Sequence, residues 1–263
     1  MKIIPKRSLG QNFLIDKNIL QQICESGKLN KNDFVLEIGP GTGNLSEFII
    51  KKKPQKYLVI EKDKRLLKYL SEKYKGKIVI INDDILEYDL KKLSNENLIV
   101  FGNLPYNISS QILTKFIHIS KKEFLFKKLI FMFQKEVADR ILAEDNSKNY
   151  GRLSIFSSWK LDIKKIMDIE PSSFFPKPKV MSSLLIFEPK INYIKFKNSK
   201  NLEHITNIFF NQRRKMIKKP LNILFENSKK IIDELNLDIN LRPQNLKKDT
   251  FYKICLIYEK LIK

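Results

Sequence analysis

The stretch Phe34-Val-Leu-Glu-Ile-Gly-Pro-Gly-Thr-Gly43 decides the fold of this 263-residue chain. A short apolar run that ends in closely spaced glycines is typical of a buried parallel strand that turns into a helix. Glycine lets the backbone approach a ligand closely, and ligands of open α/β sheets bind at the carboxyl ends of strands. The stretch therefore predicts both a parallel sheet and a ligand site at its edge.

Apolar runs and helical segments alternate along the chain around this stretch. The predicted strands are 34–39, 57–61, 77–82, 98–101, 129–133, 164–169 and 180–187. The predicted helices between them are 44–52, 63–74, 109–119 and 135–143. Such alternation indicates a mostly parallel sheet with helices on both faces, closed by a final pair of strands.

The texture of the sequence changes after Pro189. Residues 201–235 and 249–262 are predicted to be helical, with polar residues at 236–248 between them. We therefore place a domain boundary near residue 190. The expected organisation is an α/β domain over 1–190 and a small α-helical domain over 191–263.

The composition narrows the classes of function. The chain has 50 basic and 29 acidic residues, for a net charge of +21, which predicts a polyanionic partner such as nucleic acid. Only seven of the basic residues are arginine, so a genome rich in A and T is an alternative source of the lysines. The only cysteines are Cys24 and Cys255, and the only histidines are His118 and His204, which argues against disulfides, a metal centre and a histidine base.

The chain carries no segment that predicts a membrane location. No apolar run approaches the roughly 20 residues that span a bilayer. The basic start of the chain is not followed by the apolar core and cleavage site of a signal peptide. We expect a cytoplasmic protein, and nothing indicates an obligate dimer, so we expect a monomer.

Acidic residues accompany the glycine-rich turn and the next two strands. Glu37 lies two residues before Gly39, the second strand ends in Glu61, and the third is followed by Asp83 and Asp84. The G-x-G-x-G spacing differs from the G-x-G-x-x-G of dinucleotide-binding enzymes. A carboxylate after the second strand can accept both ribose hydroxyls, and one after the third can accept an adenine amino group. For Glu61 alone, a solvated strand end is the alternative.

This combination resembles the S-adenosylmethionine-binding half of the Rossmann-like methyltransferases. The resemblance implies a Rossmann-like fold with a mostly parallel seven-stranded sheet, and S-adenosyl-L-methionine as the cofactor. Because this cofactor has no pyrophosphate, the glycine turn serves close approach and not phosphate capture. A plain tight turn is the alternative for the glycines.

The sharpest motif is Gly102-Asn-Leu-Pro-Tyr106, directly after the fourth strand. The lone pair of an adenine N6 atom is delocalised into the ring and is a poor nucleophile. The Asn103 side-chain oxygen and the Pro105 carbonyl can accept the two N6 hydrogens, and the Tyr106 ring can stack on an extruded base. Catalysis would then be positioning and electrostatic alignment. The alternative is an ordinary β-turn with Asn and Pro as turn formers.

Three motifs resemble those of the ribosomal RNA adenine dimethyltransferases. They are Lys6-Arg-Ser-Leu-Gly-Gln-Asn-Phe-Leu14, Asn103-Leu-Pro-Tyr106 and Phe174-Phe-Pro-Lys-Pro-Lys-Val-Met-Ser182. They occur in the family's order, and the resemblance extends from about Lys6 to about Leu246. It implies transfer of methyl groups from S-adenosylmethionine to N6 of adenine in RNA.

The resemblance also implies a role for each matching position. The expected cofactor-binding residues are Asn12, Leu14, Gly39, Gly41, Glu61, Asp84 and Asn103. The expected catalytic residues are Asn103, Pro105, Tyr106 and Phe174, with Tyr106 and Phe174 on either side of the target base. Phe174 as ordinary core and Leu14 as an anchor of the N-terminal arm are the alternatives. Asp83 is disfavoured, because the family's aspartate aligns with Asp84.

The C-terminal part favours one branch of this family. Gln212-Arg-Arg-Lys215 resembles the Q-R-R-K segment of the small-subunit branch, which dimethylates two adjacent adenosines in a hairpin near the 3′ end of 16S ribosomal RNA. Arg213, Arg214 and Lys215 are the expected RNA-binding residues, with a solvated helix face as the alternative. The expected partner is 16S rRNA within the small subunit.

Two other functions stay open at this point. One is the large-subunit branch, which dimethylates a single adenosine and confers macrolide resistance. The other is a largely non-catalytic ribosome-assembly factor, since relatives of the family also act as mitochondrial transcription factors. The intact glycine turn and the intact Asn103-Leu-Pro-Tyr106 motif favour an active enzyme.

Overall fold

The computed structural model of the chain describes residues 4–93, 97–119 and 125–261. Its strands are β1 (Phe13–Leu14), β2 (Phe34–Ile38), β3 (Lys56–Glu61), β4 (Val79–Asn82), β5 (Leu98–Asn103), β6 (Phe126–Gln134), β7 (Leu161–Ile169), β8 (Phe174–Phe175) and β9 (Ser182–Pro189). Its α-helices are α1 (Lys17–Ser26), α2 (Asn44–Lys51), α3 (Lys64–Lys73), α4 (Ser109–Ile119), α5 (Lys135–Leu142), α6 (Arg152–Lys160), α7 (Ser199–Asn211), α8 (Lys218–Leu224), α9 (Ser228–Glu234) and α10 (Lys248–Leu261).

Seven strands form one sheet in the order β4-β3-β2-β5-β6-β9-β7. Each neighbouring pair from β4 to β6 is parallel, whereas β9 runs antiparallel to β6. The prediction of a mostly parallel, seven-stranded sheet is therefore confirmed. The strand order reverses between β2 and β5, and such a switch point is where open α/β sheets bind ligands at their carboxyl edge.

The sheet is stable because apolar strands are covered by helices on both faces. On one face, Leu20 of α1 and Ile49 of α2 belong to the same buried cluster as Val35 of β2. On the other face, Phe116 of α4 contacts Phe131 of β6, with their ring centroids 5.8 Å apart. Burying a side chain of this size contributes about 1.5–3 kcal/mol.

Two helices of this structure were absent from the sequence prediction. Helix α1 is capped by Asp16, whose carboxylate accepts from the backbone N–H groups of Asn18 and Ile19. It buries Leu20 and Ile23 at helical spacing. Helix α6 follows Gly151 and is buried on most of its surface.

The chain divides into two compact units. The first comprises residues 1–138 and 162–189, and the second comprises residues 139–161 and 190–263. The break after Pro189 lies at the boundary expected near residue 190, but residues 139–161 group with the C-terminal unit and not with the α/β unit. The single boundary proposed from sequence thus omits one segment of the second unit.

The second unit is helical and has its own core. The ring of Phe251 in α10 packs on Phe209 of α7 at 5.3 Å, and the Tyr150 hydroxyl donates to the Leu246 carbonyl at 2.9 Å. The single helix predicted over 201–235 is wrong, because three helices, α7, α8 and α9, occupy that range. The predicted helix 249–262 corresponds to α10, and its residue 262 lies outside the described residues.

Candidate active site

A cavity of about 250 Å³ lies at the carboxyl edge of the sheet. Its walls come from the N-terminal arm, the glycine-rich turn after β2 and the loops after β3, β4 and β5. It lies at the switch point between β2 and β5. Of the sequence-predicted site, it brings together Asn12, Leu14, Gly39, Gly41, Glu61, Asp84, Asn103, Pro105 and Tyr106.

The glycines of the turn have different physical requirements. Gly39 and Gly41 both have positive φ angles, of 62° and 59°, which favour glycine. A Cβ at Gly39 would meet no atom within 4 Å, so its backbone borders open space at the cavity. A Cβ at Gly41 would lie 2.8 Å from the Phe13 ring. Gly39 therefore leaves room for a ligand, whereas Gly41 makes room for Phe13.

Glu61 offers a buried carboxylate to the cavity. One oxygen accepts from the Asp63 backbone N–H at 2.8 Å, and the residue is 7% exposed. Burial raises the pKa of Glu61, while backbone hydrogen bonds from residues such as Gly41 act in the opposite direction. A carboxylate has about four acceptor positions, so Glu61 can still accept a hydrogen bond from a ligand.

Asp84 and Asp83 differ in their surroundings. Asp84 pairs with Lys62 at 2.6 Å and accepts from the Leu86 N–H at 2.9 Å. Burial acts to raise the pKa of Asp84, but its bonds to Lys62 and the Leu86 N–H outweigh burial and lower the pKa overall. The Asp83 carboxylate accepts from the Asp84 N–H at 2.7 Å, which turns it back on its own backbone. Asp84 is thus an ionised acceptor at the end of β4.

Glu37, the acidic residue just before the glycine turn, is fixed by hydrogen bonds from two side chains. It accepts a hydrogen bond from Ser46 Oγ at 2.6 Å and another from the hydroxyl of Tyr57. Burial raises its pKa to about 7, while these two bonds act to lower it. Glu37 ties β2 to β3 and to the first turn of α2.

The N-terminal arm is fastened across the cavity by hydrogen bonds. Gln11 Nε2 donates to Asp63 at 3.1 Å, and Asn44 Nδ2 donates to the Leu14 carbonyl at 2.7 Å. Asn103 Nδ2 donates to the Asn12 carbonyl at 3.0 Å. Sequence reasoning missed Gln11 and Asn44 as supporting residues, although Asn44 follows directly on the glycine turn.

The turn after β5 presents acceptors to the cavity. Because Asn103 gives its amide nitrogen to the Asn12 carbonyl, its Oδ1 atom is left as an acceptor. The Pro105 carbonyl accepts from the Ile108 N–H at 3.1 Å and retains a second lone pair. The Tyr106 hydroxyl bonds Ser182 Oγ at 2.7 Å, which fixes its ring. Burial raises the pKa of Tyr106, and the bond to Ser182 opposes this.

The structure places Phe174 differently from the expectation for it. Its side chain is 3% exposed and lies in the same buried cluster as Leu14, Met132 and Leu184. These three neighbours line the cavity, whereas Phe174 does not. The observed conformation matches the core alternative, so its stacking on a base stays a prediction that requires the side chain to move.

Lys115 is a supporting residue that sequence reasoning missed. Its ammonium group, on α4, donates to the carbonyls of Leu86 and Tyr88 at 2.5 and 2.7 Å. These carbonyls lie on the loop that follows Asp84. Burial lowers the pKa of Lys115, with nearby acidic residues opposing this. Lys115 lies nine residues after Tyr106 and belongs to no motif, so nothing in the sequence pointed to it.

The basic segment after α7 divides into an internal and an external part. Arg213 donates from Nη2 to the Lys148 carbonyl and from Nε to Gln244 at 3.2 Å, so its guanidinium is engaged within the second unit. The structure does not show the phosphate contact expected of Arg213, and that role stays a prediction. Arg214 and Lys215 instead line a cavity of about 560 Å³ whose other lining residues are Met216, Lys218, Lys219, Asn222, Ile223 and Arg242.

The described part of the chain contains neither a candidate membrane-spanning helix nor a candidate metal-binding cluster. Over residues 4–93, 97–119 and 125–261, no helix has the length and apolar character needed to cross a bilayer. In those same ranges, no three His, Cys, Asp or Glu side chains are grouped so that they could hold a metal ion.

The fold and the cavity together define a Rossmann-like, S-adenosylmethionine-dependent methyltransferase. Its glycine turn, its carboxylates after β3 and β4 and its Asn-Leu-Pro-Tyr turn after β5 meet at one switch point. The ribosomal RNA adenine dimethylase family matches residues 5–260, and the chain belongs to this family.

Relatives and solved structures agree with this assignment. The chain is 55% identical to the "Ribosomal RNA small subunit methyltransferase A" of Pelagibacter ubique, over 99% of both chains. A dimethyladenosine transferase from Plasmodium falciparum has a similar structure, with a TM-score of 0.80 and 27% identity over 94% of this chain and 98% of that one. A 23S rRNA methyltransferase, ErmE, has a TM-score of 0.70 at 20% identity over 94% and 99%, which shows the shared fold.

Proposed function

We propose that this enzyme methylates N6 of two adjacent adenosines in a hairpin loop near the 3′ end of 16S rRNA, giving N6,N6-dimethyladenosine. The substrate is the small ribosomal subunit, and the reaction belongs to ribosome biogenesis. The observation that carries the proposal is the Asn103 turn, which opens its acceptors into the same cavity as the cofactor residues. The name of the 55% identical relative from Pelagibacter ubique supports the choice of subunit.

The residues around the cavity fit S-adenosylmethionine by the chemistry of their donors and acceptors. Glu61 would accept the ribose hydroxyls, and Asp84 would accept the adenine amino group. Gly39 offers open space beside its backbone, as a close-lying ligand requires. Asn12 and Leu14 would contact the methionine end, where the N-terminal arm meets Asn103. Gly41 would contribute indirectly, by seating Phe13.

The chain's part in the reaction is to hold the target amine. When bound, S-adenosylmethionine supplies an electrophilic methyl group. Asn103 Oδ1 and the Pro105 carbonyl would accept the two N6 hydrogens, which favours a more tetrahedral nitrogen with an available lone pair. No general base is needed before attack, because the N6 proton becomes acidic once the nitrogen carries the new methyl group. Positioning and preorganised dipoles therefore carry the catalysis.

The target base would be held by stacking. The Tyr106 ring is fixed by Ser182, so it provides a preformed surface for an adenine that has left its stack. Phe174 would supply the opposite surface after movement out of the cluster that buries it.

The second unit would bind ribosomal RNA by charge. Arg214 and Lys215 line the basic cavity together with Lys218, Lys219 and Arg242, and cations at this density suit phosphate groups. We further propose that the protein acts as a monomer in the cytoplasm and requires no metal. The division of roles would be catalysis by the α/β unit over residues 1–138 and 162–189, and RNA binding by the helical unit over residues 139–161 and 190–263.

The test is methyl transfer from labelled S-adenosylmethionine to under-methylated small and large subunits, followed by nucleoside analysis. We expect N6,N6-dimethyladenosine on the small subunit alone. Label confined to the large subunit would reassign the enzyme to the branch that confers macrolide resistance. Binding to small subunits without any label would instead identify an assembly factor.

A further inference from the structure

A two-stranded ribbon borders the cofactor cavity. Strands β1 and β8 pair antiparallel, with Phe13 opposite Phe175 and Leu14 opposite Phe174. Neighbouring residues of a strand point to opposite faces, so Phe13 and Phe175 share one face of the ribbon. Leu14 and Phe174, on the other face, are buried in the core, whereas Phe175 is 59% exposed. Since Phe13 lines the cavity, Phe175 extends the same face to the solvent-exposed rim.

The loop that follows Phe175 is fixed at both ends beside the catalytic turn. It begins at the ribbon and ends at Ser182, whose Oγ atom bonds the Tyr106 hydroxyl at 2.7 Å. The carbonyl of Met181, just before that end, accepts from the Lys135 N–H at 2.9 Å. The loop therefore leads from the cavity-lining Phe13 to the Tyr106 ring.

Between these anchors, the loop exposes an aromatic ring and two cations. Lys177 and Lys179 are exposed, and among the residues that the structure describes no acidic side chain pairs with either. The segment 174–182 contains no acidic residue. An exposed aromatic ring flanked by unpaired cations is the combination that proteins use to bind single-stranded nucleic acid.

We propose that the Phe175 loop is a binding platform for the single-stranded RNA next to the target adenosine. Phe175 stacks on the base adjacent to the one held at Tyr106, and Lys177 and Lys179 contact the phosphates on either side. The proposal rests on the proposed function, because it presupposes an adenosine in the cavity. It explains why an apolar ring stays exposed while its neighbour Phe174 is buried.

The first test compares Phe175 variants on under-methylated small subunits, with S-adenosylmethionine affinity measured separately. Stacking on one base predicts that Phe175→Ala lowers kcat/KM for subunits by about tenfold, with cofactor affinity unchanged. Phe175→Trp should retain activity, whereas Phe175→Leu should behave like Phe175→Ala, because leucine has no aromatic face. Full activity in Phe175→Leu would overturn RNA stacking and indicate an apolar contact to a ribosomal protein.

Controls separate this proposal from the proposed function. Val79→Ala removes an exposed apolar side chain at the amino end of β4, on the edge of the sheet away from the cavity, and should leave kcat/KM unchanged. If the wild-type enzyme forms no dimethyladenosine on small subunits, the proposed function fails. If the wild type is active and Phe175→Ala equals it, only the platform fails.

Lys177 and Lys179 provide an independent test of whether the loop binds RNA. Replacing Lys177 and Lys179 by alanine should reduce the salt dependence of subunit binding, with a log–log slope smaller in magnitude by about two. Phe175→Ala should weaken binding without changing that slope. An unchanged slope in the double lysine variant would remove these cations from the RNA contact.

Discussion

The amide of Asn103 illustrates how one hydrogen bond determines what a residue can do. Its nitrogen is committed to the Asn12 carbonyl, so only its oxygen faces the reaction. We predict that Asn103→Ala lowers kcat by at least about 100-fold, the usual cost of losing one preorganised polar group. The affinity for small subunits should stay close to that of the wild type, because the turn lies in the cavity and makes no phosphate contact.

This prediction is checked by single-turnover methyl transfer together with filter binding of subunits. Ser109→Ala serves as a matched control, because Ser109 is buried beside the same turn, donates to the Tyr106 carbonyl at 3.2 Å and does not line the cavity. Near-wild-type turnover in Asn103→Ala would rule out the acceptor role.

Glu37 shows a second residue-scale effect, in which burial acts against a charge. Its pKa rises from 4.5 to about 7, because the carboxylate is buried and faces no cation among the described side chains. Besides Ser46 and Tyr57, which donate to it, the charge of Glu61 acts to raise its pKa. The folded chain therefore holds this proton over a pH range in which the unfolded chain has lost it.

The stability contributed by the protonated Glu37 is complete below pH 4.5 and is lost as the pH rises to about 7. A shift of this size corresponds to about 3 kcal/mol. We predict that Glu37→Gln, which cannot ionise, gains stability relative to the wild type over this interval. Urea unfolding of both proteins at several pH values measures the difference, and parallel curves would show that Glu37 does not titrate in this range.

Individual side chains also show which parts of the site could not be predicted from the sequence. The motifs located the residues of the cavity, because a turn at a strand end brings its neighbours to one edge whatever the distant contacts are. The engagement of Arg213 by the Lys148 carbonyl and the burial of Phe174 depend on tertiary contacts. No local pattern encodes such contacts, so both residues were assigned roles that the structure does not display.

At the scale of elements, a strong hydrophobic periodicity was sufficient to predict a helix, but the breaks between consecutive helices were not predicted. The predicted helix 109–119 coincides with α4. The predicted helix 201–235 is first interrupted after Asn211, where α7 ends. Helix α8 then begins at Lys218, with Pro220 in its first turn, where proline is tolerated because the backbone N–H has no partner within the helix. Asn227 then caps α9 through a bond from the Lys230 N–H. Helix α6 was not predicted, because a helix that is buried on most sides has no amphipathic pattern in its sequence.

Helix α4 stabilises the loop that carries Asp84. The Lys115 ammonium group bonds two carbonyls of that loop, Leu86 and Tyr88, and leaves the cavity itself untouched. We predict that Lys115→Met raises the Kd for S-adenosylmethionine by about tenfold, the cost of one or two hydrogen bonds to a charged group. At saturating cofactor, kcat should remain near that of the wild type, since Lys115 does not touch the Asn103 turn.

Calorimetric titration of the cofactor and steady-state kinetics separate the two quantities. Lys115→Arg keeps the charge and the donors and should recover part of the affinity. A drop in kcat with unchanged Kd would contradict a role in ordering the loop that carries Asp84.

At the scale of the whole molecule, the excess of basic residues acts through where the cations lie. The net charge of +21 attracts RNA from a distance, but only cations that meet phosphates contribute to the salt dependence of binding. Arg213 and Arg214 are neighbours in sequence with opposite surroundings, since one is bonded internally and the other lines the basic cavity of the second unit. They form a matched pair for testing which cations contact phosphate groups of the RNA.

We predict that Arg214→Gln reduces the magnitude of the log–log salt slope for subunit binding by about one, as expected for one lost phosphate contact. Arg213→Gln should leave the slope unchanged, because its guanidinium is bonded to Lys148 and Gln244 within the second unit. Instead it should lower the Tm by a few degrees, about what 1–2 kcal/mol of lost hydrogen bonding gives. Subunit binding over a range of salt concentrations and thermal unfolding of the same two variants provide both readings. Exchanged effects, with a smaller slope for Arg213→Gln and a lower Tm for Arg214→Gln, would mean that Arg213 releases its internal partners to bind RNA.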